Sequence, residues 1–341
     1  MGAKTEIAWT DSTWTPIRAR VKEGPLAGHV GPHCERVSQG CVNCYSETNN
    51  GRCLPANGTG LPFNRQSRDK VDIFVDEKIL THPLHWKAAR RIFVCSQTDL
   101  FGEWVTDEMI DRVFAVMALC PQHTFQVLTK RAERMQKYAD KASAGAFLDR
   151  CAGEKYLASY PQHKRTAWPL PNVWLGVSCE DQKTADERIP LLLQTPAAVR
   201  FVSLEPLLGA ISLRWMSAWP GSPHGAALKP TGDTNHLDGL RLLDWVIAGG
   251  ESGPGARPMH PDWVRGIRDQ CVAAKVPFFF KQWGEYGPTY RSAYAPASSR
   301  EPKSAYPWGG GIYSPRLGKR AASHLLDGRE YRQLPKGLTH V

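Results

Sequence analysis

The stretch Ile92-Phe93-Val94-Cys95-Ser96-Gln97-Thr98-Asp99 decides how the chain is read. Four apolar residues run together and give way at once to four polar ones. An unbroken apolar run of this length suits a strand covered on both faces, as in a parallel sheet, rather than a half-exposed strand that alternates. The same unit recurs outward from it. Phe125-Gln126-Val127-Leu128 is followed by Thr129-Lys130-Arg131, and Val173-Trp174-Leu175-Gly176-Val177 by Ser178-Cys179-Glu180-Asp181. Val199-Arg200-Phe201-Val202 leads into Ser203-Leu204-Glu205-Pro206, and Trp245-Val246-Ile247-Ala248 into Gly249-Gly250-Glu251-Ser252-Gly253. Pro277-Phe278-Phe279-Phe280 leads into Lys281-Gln282-Trp283. A further strand is expected at Glu6-Ile7-Ala8-Trp9.

Helical patterns fall between these runs. Thr106 is placed to N-cap a helix whose first turn carries Asp107 and Glu108. Met109, Ile110, Val113, Phe114, Met117 and Cys120 then recur at helical spacing. Lys183 to Leu193 reads as a helix that Pro190 should break or kink. Pro261 suits the first turn of another helix, where Trp263, Ile267 and Cys271 recur every four residues. Strands alternating with helices imply βαβ units. The expected fold class is therefore α/β, a (β/α) barrel, partial or complete and TIM-like. The expected barrel domain spans 1–286, with an insertion at about 138–170. A Pro-, Gly- and Ser-rich extension, 287–341, would pack on it with irregular structure over 287–323. Within the extension Asp327-Gly328 signals a turn. Residues 18–33 read as a loop.

The 341 residues are 42% hydrophobic, enough for one large domain or two small ones. No run of about eighteen apolar residues is present, so no membrane-spanning helix is expected. Met1 to Glu6 lack the apolar core of a signal peptide, which points to the cytoplasm. Nine cysteines in a reducing compartment argue against a disulfide framework and for metal or catalytic use of any cluster. Cys95, Cys120, Cys151, Cys179 and Cys271 are isolated and read as buried thiols. The formal net charge of +10 favours a polyanionic partner, so DNA, RNA or a nucleotide is the substrate class to consider.

The cluster is Cys34, Cys41 and Cys44, spaced C-x6-C-x2-C. Three thiolates on one loop are one short of the four that normally hold an iron–sulfur cubane, which leaves one iron open to a small molecule. Zinc would instead recruit a fourth protein ligand, with His33 and Cys53 nearby. Only Cys41 and Cys44 form a knuckle-like half, so iron–sulfur is the stronger reading.

In parallel barrels the C-terminal strand ends meet at one mouth, where the chemistry gathers. Glu205 among apolar neighbours, Glu251 within a glycine-rich loop and Lys281 after three phenylalanines are the ionisable residues hardest to explain as strand ends alone. They and Lys130 are the expected catalytic residues. Ser96, Asp99, Ser178, Gly249 and Gly250 are expected to bind a cofactor's polar groups. The glycine loop lacks the phosphate-binding pattern G-x4-G-K-[ST] and also G-x-G-x-x-G.

A set of motifs in one order resembles a known group. Ile7-Ala8-Trp9-Thr10-Asp11-Ser12-Thr13-Trp14-Thr15-Pro16 precedes the cysteines, and Tyr45 follows them. Ser96 to Phe101, Leu128 to Arg131, Trp174 to Ser178, Ser203 to Leu208, Gly249 to Gly253, Phe280 to Trp283 and Leu326 to Arg329 continue the series. Together they resemble the phage gene-product thirty-seven/sixty-eight family, which is regarded as similar to radical S-adenosylmethionine enzymes. The resemblance implies a radical-SAM-like partial (β/α) barrel, a [4Fe-4S] cluster on Cys34, Cys41 and Cys44, and S-adenosylmethionine as cofactor. It also implies an electron donor, a reductase or flavodoxin-like protein, and a 5′-deoxyadenosyl radical that modifies a substrate. The chain departs from the common C-x3-C-x2-C spacing, places Asn43 where an aromatic residue is usual, and has Thr15 where the family commonly has Asn. Two other classes compete: a non-catalytic, metal-stabilised nucleic-acid binder, and a metal-free barrel hydrolase with Glu205 and Glu251 as paired acids.

Overall fold

A computed structural model describes residues 5–52, 57–143, 168–213, 216–217, 236–237, 239–287, 305–309 and 312–335. The chain divides into two compact units. One comprises Met1–Val177 with Gln194–Arg200 and Gly337–Val341, the other Ser178–Leu193 with Phe201–Lys336. Both are mixed α/β, and each is built on parallel strands. Among the described residues no helix is long and apolar enough to cross a membrane.

In the first unit β1 (Ser12–Trp14), β5 (Arg91–Val94), β6 (Thr124–Thr129) and β7 (Val173–Ser178) lie side by side in the order β1-β5-β6-β7, all parallel. Their unbroken apolar runs mean what they should: every residue of β7 is buried. Between β5 and β6 runs α4 (Asp107–Leu119), whose cap Thr106 accepts a hydrogen bond from the Met109 N–H, as the sequence predicts. Its buried stripe includes Ile110, Val113, Phe114 and Met117. Each such side chain contributes roughly 1.5–3 kcal/mol when fully buried. The helix α5 (Ala132–Ser143) follows β6.

Glu6 to Trp9 are not a strand. The segment turns instead, with the Thr10 N–H bonded to the Ile7 carbonyl, and drives Trp9 against Phe93 at 4.7 Å. Its apolar residues anchor the turn and join no ladder. Residues 18–33 are not a plain loop either. β2 (Ile17–Val21), β3 (Val30–Gly31) and β4 (Val71–Val75) form an antiparallel sheet in the order β3-β2-β4. The alternation Ile-Arg-Ala-Arg-Val puts Ala19 and Val21 into a small core with Val71, while Arg20 lies 4.8 Å over the Phe74 ring. The glycines and prolines that follow Val21 hide this short period-two signal. Three short helices complete the unit: α1 (Tyr45–Asn50), α2 (Arg65–Arg68) and α3 (Glu77–Leu80).

In the second unit β8 (Val199–Leu204), β11 (Trp245–Gly249) and β12 (Phe278–Gln282) are parallel in that order. Lys281 is thus the fourth residue of β12 rather than the first beyond it. The helix α6 (Gln182–Gln194) runs through Pro190 without ending there. A proline inside a helix costs ~3 kcal/mol. Here Ala185, Ile189, Leu192 and Leu193 are buried around it, which offsets that cost. The helix α7 (Pro261–Ala274) starts at Pro261, as expected, under a His260 cap. Two residues each make the pair β9 (Met216–Ser217) and β10 (His236–Leu237).

The stretch 287–323 holds more order than its composition suggests. β13 (Ala305–Gly309) and β14 (Ile312–Pro315) form an antiparallel hairpin, and α8 (Lys319–Ala322) follows. Most of the expected insertion (144–167), Cys53, Cys151 and residues 288–304 lie outside the described residues. The tail packs on β12 through a Phe279–Arg332 bridge and through Trp283 Nε1, which donates to the Leu325 carbonyl at 2.8 Å.

The Asp-Gly turn is present. Asp327 has φ +51° and Gly328 +75°, and Leu326 and Arg329 exchange both backbone bonds. That is a two-residue hairpin turn with positive φ at both central positions. The Asp327 carboxylate accepts from Arg265 at 2.8 Å and from Arg268 at 2.6 Å, both on α7. The Arg265 hydrogen bond is the chief reason that its pKa lies below the ordinary carboxylate value. A depressed folded-state pKa stabilises above the unfolded value of about 3.9, and the gain disappears as pH falls through the folded value. Asp327→Asn keeps the left-handed turn but removes the charge. It is expected to lower the melting temperature slightly at pH 7, by under ~1 kcal/mol of stability for so exposed a pair, and to match the parent at strongly acid pH.

Candidate functional site

Cys34, Cys41 and Cys44 are all free and half-buried. Cys41 ends a one-turn 3-10 helix, Gln39–Cys41, that buries none of its residues. Cys44 sits at the N-cap of α1. The segment is pinned by the loop that leaves β5. Tyr45 donates its hydroxyl to the Ser96 carbonyl, Ser46 Oγ donates to the Gln97 carbonyl at 2.7 Å, and Thr98 Oγ1 donates to the His33 carbonyl. That loop begins at Cys95, a buried non-glycine residue at φ +54° whose N–H bonds the Trp14 carbonyl. Such a backbone is uncommon, and the surrounding contacts hold it there.

Asp99 closes the loop. Its carboxylate accepts from Thr129 Oγ1 at 2.7 Å, from the Phe101 N–H at 3.0 Å, from the Lys130 N–H at 3.2 Å and from Arg131 Nη1 at 3.0 Å. Arg131 reaches on to the Glu35 carbonyl at 3.3 Å, and its guanidinium lies 4.6 Å over the Trp104 ring. Arg68 Nε donates to the Glu35 carboxylate at 2.6 Å. The residue after Cys34 is therefore held at both its backbone and its side chain. His33 packs edge-on against Trp104 at 5.1 Å, and burial lowers its pKa. Ser96, Asp99 and Lys130, all chosen from the sequence, thus gather at the cysteine segment. Ser96 contributes its carbonyl, Lys130 its N–H, and Asp99 a carboxylate taken up by protein donors.

Burial raises the Cys34 thiol pKa strongly, Asp99 adds to it, and Arg131 opposes it. Burial also raises that of Cys44, against the backbone N–H groups of Glu47 and Ser46. The neighbouring cysteine charges contribute to both shifts, so the three thiols share one field. Among the described residues no group of three or more His, Cys, Asp or Glu stands ready to hold a metal ion. Cys34, Cys41 and Cys44 supply the soft donors that thiolate-bound metals take, without forming such a group in this arrangement. Half-buried thiols that resist ionising alone are deprotonated outright once a metal supplies positive charge.

The second unit gathers the other residues chosen from the sequence. Lys281 Nζ lies 3.0 Å from Glu205 Oε1, and Ser203 Oγ donates to Oε2 at 3.0 Å. The two ionisable residues that looked costly in apolar surroundings answer one another. Ser178 Oγ donates to the Glu205 carbonyl at 3.3 Å. Gly249 makes room for the pair, since a Cβ there would sit 2.9 Å from Glu205 Oε1 and 3.4 Å from the Lys281 Cβ. At Gly250 a Cβ would run into the Trp283 carbonyl, so this glycine serves the approach of two backbone segments. Glu251 is committed elsewhere. It accepts from the Arg257 N–H at 2.8 Å and from its guanidinium at 2.8 and 2.6 Å, folding the glycine-rich loop on itself.

Sequence reasoning passed over Ser203, Arg131, Arg68, Glu35 and Trp104 as site residues. Ser203 and Arg131 were within reach, because both follow apolar runs. Arg68 and Trp104 carry no local signal, since their role exists only through tertiary contact.

These features define a parallel α/β protein with a three-thiol loop in one unit and a lysine–carboxylate pair at strand ends in the other. Residues 4–335 match the family described as Protein of unknown function (DUF5131), and the chain belongs to that family. No curated protein and no solved structure matches the chain.

Proposed function

We propose that the protein is an iron–sulfur enzyme resembling radical S-adenosylmethionine enzymes. Its parallel strands would form a partial (β/α) barrel of that type, with Cys34, Cys41 and Cys44 as cluster ligands. The observation that carries this reading is the cysteine loop: three free thiols, one short of a closed set, on a segment fixed by three hydrogen bonds to the loop after β5. The ordered motifs that resemble the phage gene-product thirty-seven/sixty-eight family support it. Bound by these thiols, a [4Fe-4S] cluster would supply, with S-adenosylmethionine and an external electron donor, one-electron chemistry that generates a 5′-deoxyadenosyl radical.

The chain's own residues orient and move protons. Lys281 and Glu205, 3.0 Å apart, form a donor–acceptor pair with Ser203 holding the second carboxylate oxygen. A group bound beside them can take a proton from Lys281 Nζ while Glu205 keeps the charge. Ser178 Oγ holds the Glu205 backbone, and the missing side chain at Gly249 leaves the pair its room. The excess of ten positive charges supports a nucleic-acid base or nucleotide as substrate.

Anaerobic reconstitution with iron and sulfide tests the reading. About four irons and as many sulfides per chain are expected, with reductant-dependent release of 5′-deoxyadenosine from S-adenosylmethionine. One zinc per chain and no sulfide overturns it. Glu205→Gln and Lys281→Met are expected to keep full iron content and lose turnover of substrate by about a hundredfold or more, the range of a lost proton-transfer group. Nucleic-acid affinity intact in both variants, with no turnover in the parent, supports instead the metal-stabilised binder.

A further inference from the structure

Outside the two sites, one surface combines ring faces with uncompensated charge. The hairpin β13–β14 carries Trp308, which meets three other rings: Tyr306 at 4.7 Å, His260 at 4.9 Å and Trp263 at 5.3 Å. His260 and Trp263 come from the start of α7, and Trp308 Nε1 donates to Ser314 Oγ at 2.9 Å. His260, Trp263 and Trp308 are half-buried, whereas Tyr306 is 44% exposed. A cluster built only to fasten the hairpin would turn its outermost ring inward. Tyr306 instead offers a face to solvent on rings already fixed in place.

The charge around it is uneven. Several cations of this unit meet carboxylates: Arg257 meets Glu251, Arg265 and Arg268 meet Asp327, and Arg332 meets Glu330. Arg316, Lys319 and Arg320 are exposed and have no ion-pair partner among the described residues. Tyr306 pairs with Ser314 and Ala305 with Pro315, so Arg316 follows at the end of the hairpin that carries Tyr306. Its guanidinium lies 5.9 Å over the Tyr286 ring and donates to the Pro254 carbonyl at 2.6 Å and the Gly253 carbonyl at 3.3 Å, neutral partners that leave its charge uncancelled.

We propose that this hairpin and the Arg316–Arg320 segment bind single-stranded nucleic acid. Unstacked bases would lie on Tyr306 and the edge of Trp308, and phosphates would lie along Arg316, Lys319 and Arg320. A preformed aromatic platform beside exposed cations is the arrangement that takes single strands without reading their sequence. A duplex keeps its bases stacked and offers only phosphates. This surface deepens the substrate class of the proposed function, yet its binding needs no cluster, so the two readings fail separately.

The test is fluorescence anisotropy of the full chain with a labelled oligothymidylate of about twelve nucleotides, within the usual site size. A matched duplex and an oligouridylate are run beside it. The single strand is expected to bind more tightly than the duplex, and the uridylate arm tells RNA from DNA. Tyr306→Ala, at an exposed position where folding is not at stake, is expected to weaken binding about tenfold. Tyr306→Phe keeps the affinity. Lys319→Gln with Arg320→Gln is expected to flatten the salt dependence by about one to two phosphate contacts. Protein prepared without iron and protein reconstituted with it are expected to bind the single strand alike. Equal affinity for duplex and single strand, an unchanged Tyr306→Ala variant, or no binding at low salt overturns the proposal.

Discussion

Replacing Cys41 by alanine is expected to strip the reconstituted protein of nearly all its iron and sulfide, from about four irons per chain to well under one. Two remaining thiolates are too few to retain a cubane. The substitution is a fair test because Cys41 carries little of the fold. It ends a single 3-10 turn that buries no residue, and its thiol makes a 4.0 Å contact with Ser38 Oγ. The unfolding free energy is expected to stay within about 0.5 kcal/mol of the parent, as for surface changes away from special features. Cys271→Ala is the opposite control. Cys271 is fully buried on α7, so its loss lowers stability and leaves iron untouched. Iron content unchanged in Cys41→Ala, measured with sulfide on the folded protein, removes the basis for a cluster on this loop.

Why these cysteines were legible and their supports were not is a matter of range. Cys34, Cys41 and Cys44 lie close together in the sequence, so their spacing alone singles them out. The strands β5, β6, β7, β8, β11 and β12 were equally plain, because burial on both faces leaves an unbroken apolar run. β2 and β4 are short strands of a small antiparallel sheet, and their signal is only a few residues of alternation beside turn-forming glycines. Pro190 misled for a related reason. Local backbone preference says break, while the buried stripe of α6 says continue, and packing outweighs propensity. Glu205 and Lys281 were each conspicuous as charges among apolar residues, but nothing local reveals that they pair. The hairpin β13–β14 was concealed by proline and glycine, though its tyrosine and tryptophan alternate as strand residues should.

Arg131 is the residue through which the cysteine segment is tied to the strand ends, and Arg131→Ala is expected to destabilise the protein by about 3–5 kcal/mol. Asp99 is 6% exposed, and without Arg131 its carboxylate keeps only neutral donors, the Thr129 hydroxyl and two backbone N–H groups. A buried charge stripped of its partner is far worse than a buried pair, because desolvation remains and the attraction is gone. Burial by itself would depress the Arg131 pKa, and the Asp99 charge and hydrogen bond, with Cys34 and Glu103, together more than reverse that, leaving it raised. The same change frees the Glu35 carbonyl and uncovers the Trp104 face, loosening the residue that follows Cys34. Iron uptake is therefore expected to fall along with stability. Arg131→Lys should recover the charge but not the fork that spans Asp99 and Glu35, and so lie between the two. Adding Asp99→Asn to Arg131→Ala separates the contributions. If the pair is the source of the loss, the double variant is more stable than Arg131→Ala alone, since it no longer holds an uncompensated carboxylate. Denaturant titrations of the parent, Arg131→Ala, Asp99→Asn and the double variant close the cycle and measure this directly. A single-variant loss below about 1 kcal/mol, or strict additivity across the cycle, means that the strand-end charges do not hold the cysteine loop.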